Sequence, residues 1–268
     1  MASNATKRRR RVSEGLQVRV TGEGDKPLVL LHGLFGSGQN LGQLARGLAD
    51  RFMVYSIDLP DHGRSCWSDI CSIDAYANTV LDWLTSTITE PVHLVGHSLG
   101  GKVAMAIARQ HPAVLAKLVI LDIAAVDYPS RHDSVFRALR AVEQARVVSR
   151  SEARALMTAV LDEPRIADFL LTNAVVNPGT GLQWRFNLDG IQHGYQQLLV
   201  AGDYPDGFDG PTLLLRGGQS DYVTEASIEK MHTLFSPLSV ITIENAGHWL
   251  HQEQTESVLQ AIRTFLVH

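Results

Sequence analysis

The 268-residue chain carries 24 Lys and Arg against 28 Asp and Glu, a net charge of −4, with 45% hydrophobic and 7% aromatic residues. That is enough apolar material for one large core and a small accessory subdomain. No run of eighteen or more apolar residues occurs, which excludes a transmembrane helix, and no apolar h-region follows the basic amino terminus, which argues against a secretory signal.

Residues 1–13 read as a basic, solvated tail built around Lys7–Arg11. Setting those five cations aside leaves 19 basic against 28 acidic residues, so the body carries about nine net negative charges, which opposes a nucleic-acid partner. The Arg-rich start has the acid-poor character of a mitochondrial presequence but lacks its amphipathic apolar residues, so a cytoplasmic location is expected. Cys66 and Cys71 are too few for a disulfide framework or a zinc site and are expected as free thiols.

Beyond the tail, short apolar runs predict strands at Leu16–Val20, Leu28–Leu31, Phe52–Ile57, Val92–Val95, Leu118–Leu121, Thr212–Leu215 and Val240–Ile243. They alternate with helical patterns, as in a mostly parallel sheet with helices on both faces. The interval 127–206 breaks this rhythm. It offers helices at Val135–Val148, Ser151–Leu161, Arg165–Ala174 and Leu188–Val200 and no convincing strand, and so reads as a helical cap inserted between core segments 14–126 and 207–268.

The motifs lie at predicted strand ends. The first, Leu28–Leu31, opens into His32-Gly33-Leu34-Phe35-Gly36, a Gly-rich turn able to aim N–H groups at a developing oxyanion. Leu34 and Leu99 are the candidate donors, with Phe35 as the fallback, while His32 reads as a turn-stabilising imidazole. Asp61-His62-Gly63-Arg64-Ser65 reads as a structural turn rather than a metal site. Gly96-His97-Ser98-Leu99-Gly100 is G-x-S-x-G between an apolar strand and a small-residue helix, the strand-turn-helix context that presents a serine nucleophile. Ala246-Gly247-His248-Trp249 follows the last strand and supplies a histidine in the expected chain order, so His248 is the candidate general base. His97, His193 and His251 are read as non-catalytic.

Two aspartates compete for the acid that orients His248. Counted from Gly217, the usual G-x-x-D position holds Ser220, and Asp221 comes one residue late. Asp122 ends the Leu118–Leu121 run, where its side chain would emerge at the same carboxyl edge as Ser98. Asp122 is favoured, Ser220 would be an auxiliary hydrogen-bonding partner, and Asp221 is the alternative acid.

Taken together, His32–Ser37, Asp58–Ser65, Gly96–Lys102, Leu121–Ala124, Arg131–Asp133, Trp184–Asn187 and Ala246–Trp249 resemble the YbfF-type esterases of the α/β-hydrolase superfamily, from about residue 16 to the end. The resemblance implies a helical cap over the sheet, the acid on Asp122, a serine at position 220 close to the histidine, and Arg131 and Tyr222 as substrate anchors near the cap. Phe35 and Trp249 complete the candidate substrate contacts. The chain departs from the family pattern at Asp221, which adds a carboxylate to that loop. The expected activity is serine carboxylic-ester hydrolysis through an acyl-enzyme, on small-molecule acyl esters or acyl-CoA thioesters, with no cofactor required. Lys102 and Arg131 are candidate contacts for a negative substrate group. The alternatives are a carbon–carbon bond hydrolase, a cofactor-free haloperoxidase, or a non-turnover ligand receptor on the same fold.

Overall fold

The computed structural model describes residues 15–202, 204 and 206–267; the basic run Lys7–Arg11 and the expected tail lie outside them. The chain begins with β1 (Val18–Thr21), β2 (Lys26–Leu31), α1 (Gly42–Leu48), β3 (Phe52–Ile57), α2 (Ile73–Thr87), β4 (Val92–His97), α3 (Leu99–Gln110) and β5 (Leu115–Leu121). An excursion follows, made of α4 (Asp133–Ala145), α5 (Arg150–Thr158), α6 (Pro164–Leu171), β6 (Ala174–Asn177), β7 (Gly181–Trp184), α7 (Leu188–His193) and α8 (Tyr195–Leu199). The chain then returns through β8 (Thr212–Gly217), α9 (Glu225–Leu234), β9 (Leu238–Ile243), α10 (Leu250–Glu253) and α11 (Thr255–Val267).

Seven strands form one sheet in the order β1-β3-β2-β4-β5-β8-β9. Only β1 runs antiparallel to its neighbour; every other pairing is parallel. Each predicted strand is present, within three residues at either end; β1 starts two residues later than expected, at Val18. Alternate residues of the central strands feed opposite cores. Val29, Leu31, Leu94, Leu118, Ile120 and Leu214 pack on the face covered by α2 and α3. Leu28, Leu30, Val95, Val119, Leu121 and Leu213 pack on the face covered by α1 and α11. Burial of each such side chain contributes about 1.5–3 kcal/mol, which makes this two-sided sheet the rigid base of the molecule.

Strand order reverses between β2 and β4, because the chain moves from β2 outward to β3 and then crosses to β4 on the other side. The crevice beyond the carboxyl ends of such a pair is where open α/β sheets place their sites. Here it receives the Gly33–Gly36 turn after β2 and Ser98 after β4.

The excursion differs from the sequence reading in two places. It contains an antiparallel hairpin, β6 with β7. The helix expected through Ala174 stops at Leu171 and Ala174 opens β6, because Val175 and Val176 favour extended backbone and Asn177-Pro178-Gly179-Thr180 makes the reversing turn, with Gly179 at φ 84°. Further on, the single helix expected over Leu188–Val200 is divided at Gly194 into α7 and α8. Gly194 sits against the strand-free segment before α2: a Cβ there would fall 2.4 Å from the Cys71 carbonyl oxygen. Among the described residues, no helix is long and apolar enough to cross a membrane.

Candidate active site

Ser98 occupies the bend between β4 and α3, with φ 51° and ψ −117°, a conformation that costs about 1–3 kcal/mol for a non-glycine residue. The bend is feasible because α3 crosses very close to the sheet: a Cβ on Gly100 would lie 2.3 Å from the Leu31 carbonyl oxygen. Backbone bonds lock it, Ser98 N–H donating to Leu121 O at 3.1 Å and Lys102 N–H to Ser98 O at 3.1 Å.

From the loop after β9, His248 Nε2 stands 2.9 Å from Ser98 Oγ, and its Nδ1 stands 2.7 Å from Asp122 Oδ2. Of the two competing aspartates, Asp122 is therefore the one against the imidazole. Its side chain is fully buried at the end of β5; Oδ1 accepts the Gly217 N–H at 2.8 Å and Oδ2 also accepts the Ser220 hydroxyl. With only acceptors on Asp122, Nδ1 carries the proton, Nε2 is left as the acceptor, and Ser98 Oγ–H donates to it. Asp221 lies elsewhere. It is 77% exposed and pairs with Arg131 at 2.7 Å.

The Arg131 guanidinium lies 4.9 Å over the Tyr222 ring, and Tyr222 stacks on His248 with centroids 3.8 Å apart and planes 15° from parallel. Tyr222 thus lies between Arg131 and the imidazole, and Asp221 pairs with the cation.

The Gly33–Gly36 turn is closed by Gly36 N–H donating to Gly33 O at 3.0 Å, with Phe35 at φ 59°. A Cβ on Gly33 would sit 3.3 Å from the Ser98 Cβ, so glycine lets this turn approach the serine. Leu99 opens α3, where first-turn N–H groups have no intrahelical acceptor. Among the described residues, neither the Leu34 nor the Leu99 N–H has a hydrogen-bond acceptor. Both residues border the space in front of Ser98. His32 is fully buried: Nε2 accepts the Leu59 N–H at 3.0 Å, Nδ1 bonds Gly33 O at 2.8 Å, and burial lowers its pKa to about 4.

The Asp58–Ser65 turn braces the same region. Asp58 accepts the N–H groups of Gly38 and Arg64, and Asp61 accepts from Tyr76, Ser68 and Asn187. Their oxygens are occupied by donors, and no group of side chains able to hold a metal ion occurs among the described residues.

Lys102 is not placed to meet a substrate anion. Its buried ammonium donates to the carbonyls of Val126, Leu199 and Val200, which uses all three of its protons and ties α3 to the excursion. Burial lowers its pKa to about 7. Cys66 and Cys71 are free thiols; burial pushes Cys71 up to about 12. His193, at the end of α7, lies outside the cleft in front of Ser98.

Three supporting residues escaped the sequence reading. His97 Nε2–H donates to the His248 carbonyl at 2.8 Å, and Glu253 accepts the Gly247 N–H at 2.5 Å, so the histidine loop is held on both sides. Asn173, buried after α6, donates from Nδ2 to the Phe35 carbonyl at 2.8 Å. His97 had a visible signal, its place beside Ser98; Asn173 and Glu253 had none. His97 and His251 pack at 4.4 Å, and burial first, then neighbouring imidazoles, holds both well below the ordinary histidine pKa, His251 at about 3. They remain neutral beside His248.

A strand-edge serine, an imidazole within hydrogen-bond reach and a buried carboxylate behind it define the site of an α/β hydrolase. A family model described as the alpha/beta hydrolase family matches residues 28–261, and the chain belongs to that family. It is 36% identical over 243 residues to esterase YbfF of Escherichia coli, covering 90% of this chain and 93% of that protein. It is also 36% identical over 247 residues to the sn-1-specific diacylglycerol lipase ABHD11 of Mus musculus, covering 89% and 80%. A solved structure described as a marine microorganism esterase superposes with a TM-score of 0.90 at 32% identity, covering 94% of this chain and 99% of that one. The protein is a hydrolase of this family.

Proposed function

We propose that the protein is a serine carboxylic-ester hydrolase that works through an acyl-enzyme. The observation that carries this reading is the continuous relay from Ser98 Oγ to His248 Nε2 and from His248 Nδ1 to Asp122, at 2.9 and 2.7 Å. In the reaction, Ser98 Oγ attacks the ester carbonyl carbon while His248 Nε2 takes its proton. The oxyanion is held by the N–H groups of Leu34 and Leu99. Collapse of the intermediate breaks the bond to the alcohol oxygen, which receives the proton from His248. Water then attacks the acyl-enzyme with His248 again as base, releasing the acid and restoring Ser98. Thioesters follow the same steps with a thiol as leaving group. Segment 127–206 acts as a cap, a role supported by Val135, Ile166 and Phe169, which border the cleft in front of Ser98.

The test is covalent. A phosphonofluoridate should label Ser98, and Ser98→Ala should lose turnover of p-nitrophenyl butyrate by about 10³-fold or more while keeping its fold. Labelling at another residue, or full activity in the alanine variant, refutes the reading. Multiple turnover also separates an enzyme from a receptor that consumes one ligand per molecule.

A further inference from the structure

Two cavities meet at Ser98. The wide one, about 240 Å³, runs past His248, Trp249, His251 and Gln252 and is bordered by Glu163 and Arg165 of the excursion. The narrow one, about 40 Å³, lies among Leu99, Ile123, Pro129, Leu198 and Leu199. Ser98, Leu34, Arg131, His132 and Tyr222 line both; His248 lines only the wide one.

The chemistry fixes which part of a substrate goes where. The tetrahedral carbon carries Ser98 Oγ, the oxyanion, the leaving oxygen and the acyl chain. The leaving oxygen must reach His248 Nε2 to be protonated, so the alcohol portion takes the wide cavity that His248 lines. The oxyanion faces Leu34 and Leu99. The acyl chain is left with the narrow cavity beyond Leu99. We infer that this protein acts on esters of compact, uncharged acyl groups carried by bulky, polar alcohols or thiols, an assignment that rests on the ester-hydrolase reading.

Size and charge both support it. One water-sized group needs roughly 10–15 Å³ on this measure, so the narrow cavity holds about three, the tail of a butyryl group. Its two neighbouring cations are committed: Lys102 to three carbonyls and Arg131 to Asp221. A carboxylate on the acyl chain would enter an apolar space with no free counter-charge, which is strongly unfavourable. The wide cavity is bordered by Glu163, Arg165 and Gln252, a polar rim for a leaving group, with Arg165 itself paired to Glu163 and Glu253.

The experiment compares kcat/KM across p-nitrophenyl acetate, butyrate, hexanoate and octanoate, and across p-nitrophenyl and 4-methylumbelliferyl butyrate, whose leaving groups differ mainly in size. The expected optimum is acetyl to butyryl, with a fall of about tenfold or more by octanoyl and less than about threefold between the two alcohols. Leu199→Ala, which enlarges a half-buried wall, should raise the octanoate-to-butyrate ratio by about tenfold, and Leu199→Phe should shift the optimum to acetate. Asp221→Asn, which frees Arg131, should raise the rate on ethyl hydrogen succinate relative to ethyl butyrate by about fivefold or more. A wild-type optimum at octanoyl or longer, or Leu199 variants that alter alcohol preference instead of acyl preference, overturns the assignment while leaving the hydrolase reading intact. Absence of turnover with every ester, together with no phosphonate label on Ser98, removes both.

Discussion

Replacing Asp122 by Asn tests the relay at its most constrained point. The carboxylate receives three donors: Gly217 N–H on Oδ1, and the Ser220 hydroxyl and His248 Nδ1 on Oδ2. An amide has only one acceptor oxygen. If its NH₂ takes the Oδ2 position, it faces the imidazole and drives the proton from Nδ1 to Nε2, so that His248 presents a donor to Ser98 and can no longer accept its proton. If the amide flips, its NH₂ is pressed against the buried Gly217 N–H. Either arrangement also removes the anion that stabilises the imidazolium. We expect kcat to fall about 10²-fold to 10⁴-fold, a barrier increase of roughly 3–5 kcal/mol. Asp221→Asn should cost less than about tenfold on neutral esters, because its exposed carboxylate faces Arg131 and not the imidazole. Ser220→Ala should fall between them. The assay is p-nitrophenyl butyrate turnover normalised to serine sites titrated by phosphonate, which separates a slow enzyme from a misfolded one. A crippled Asp221→Asn beside a near-normal Asp122→Asn refutes the reasoning, and the double variant shows whether one acid substitutes for the other.

Asn173→Ala leaves the buried Phe35 carbonyl without its donor and should reduce kcat about 10-fold to 100-fold per titrated serine with little change in KM; an unchanged kcat per titrated serine refutes a positioning role. Acid stability follows from His32 and His62, whose pKa values burial lowers from 6.5 to about 4. Between those limits the unfolded chain takes up protons that the folded one refuses, so the contribution is present above pH 6.5 and is lost as pH falls toward 4, on the order of a kcal/mol or more for the pair. Urea midpoints at pH 7.5 and 5 should show this drop, and a flat profile contradicts it. His97→Leu removes the donor to the His248 carbonyl and should lower kcat, whereas His97→Gln should recover part of it; equal activity in the two variants counts against the bond.

What the sequence disclosed follows from how each feature is encoded. The parallel strands are legible because burial on both faces demands continuous apolar runs such as Leu28–Leu31 and Leu118–Leu121. The serine turn is legible because a strained bend between a strand and a tightly packed helix tolerates few residue types. The acid was harder, since Asp122 and Asp221 both follow apolar strands and differ only in where the sheet order places them relative to β4. The β6–β7 hairpin was missed because Val175-Val176-Asn177 is too short to show alternation, although Asn177-Pro178-Gly179 carried turn chemistry. Asn173 was invisible for a different reason. Its partner lies 138 residues away, and a long-range bond from a side chain to a backbone carbonyl leaves no local pattern.

The backbone itself marks the site. Among the described residues, the non-glycine residues with positive φ are Phe35, Asp61, Ser98, Asp122, Asn245 and Arg146. Arg146 ends α4 in a left-handed cap. The other five follow β2, β3, β4, β5 and β9, all at the carboxyl edge of the sheet. Four of them are held by a bond to another element: Phe35 O accepts from Asn173, Asp61 O from the Asn187 N–H at 2.8 Å, and the N–H groups of Ser98 and Asp122 donate to the next strand at 3.1 and 2.8 Å. Beside Asn245, the Ala246 carbonyl accepts the Gln219 N–H at 2.8 Å. Strain of about 1–3 kcal/mol per residue persists only where surrounding structure over-determines it. The two-sided core supplies that rigidity, so stability stored across the whole sheet is expressed as fixed geometry at one edge, where the serine, imidazole and carboxylate stand within hydrogen-bond reach of one another.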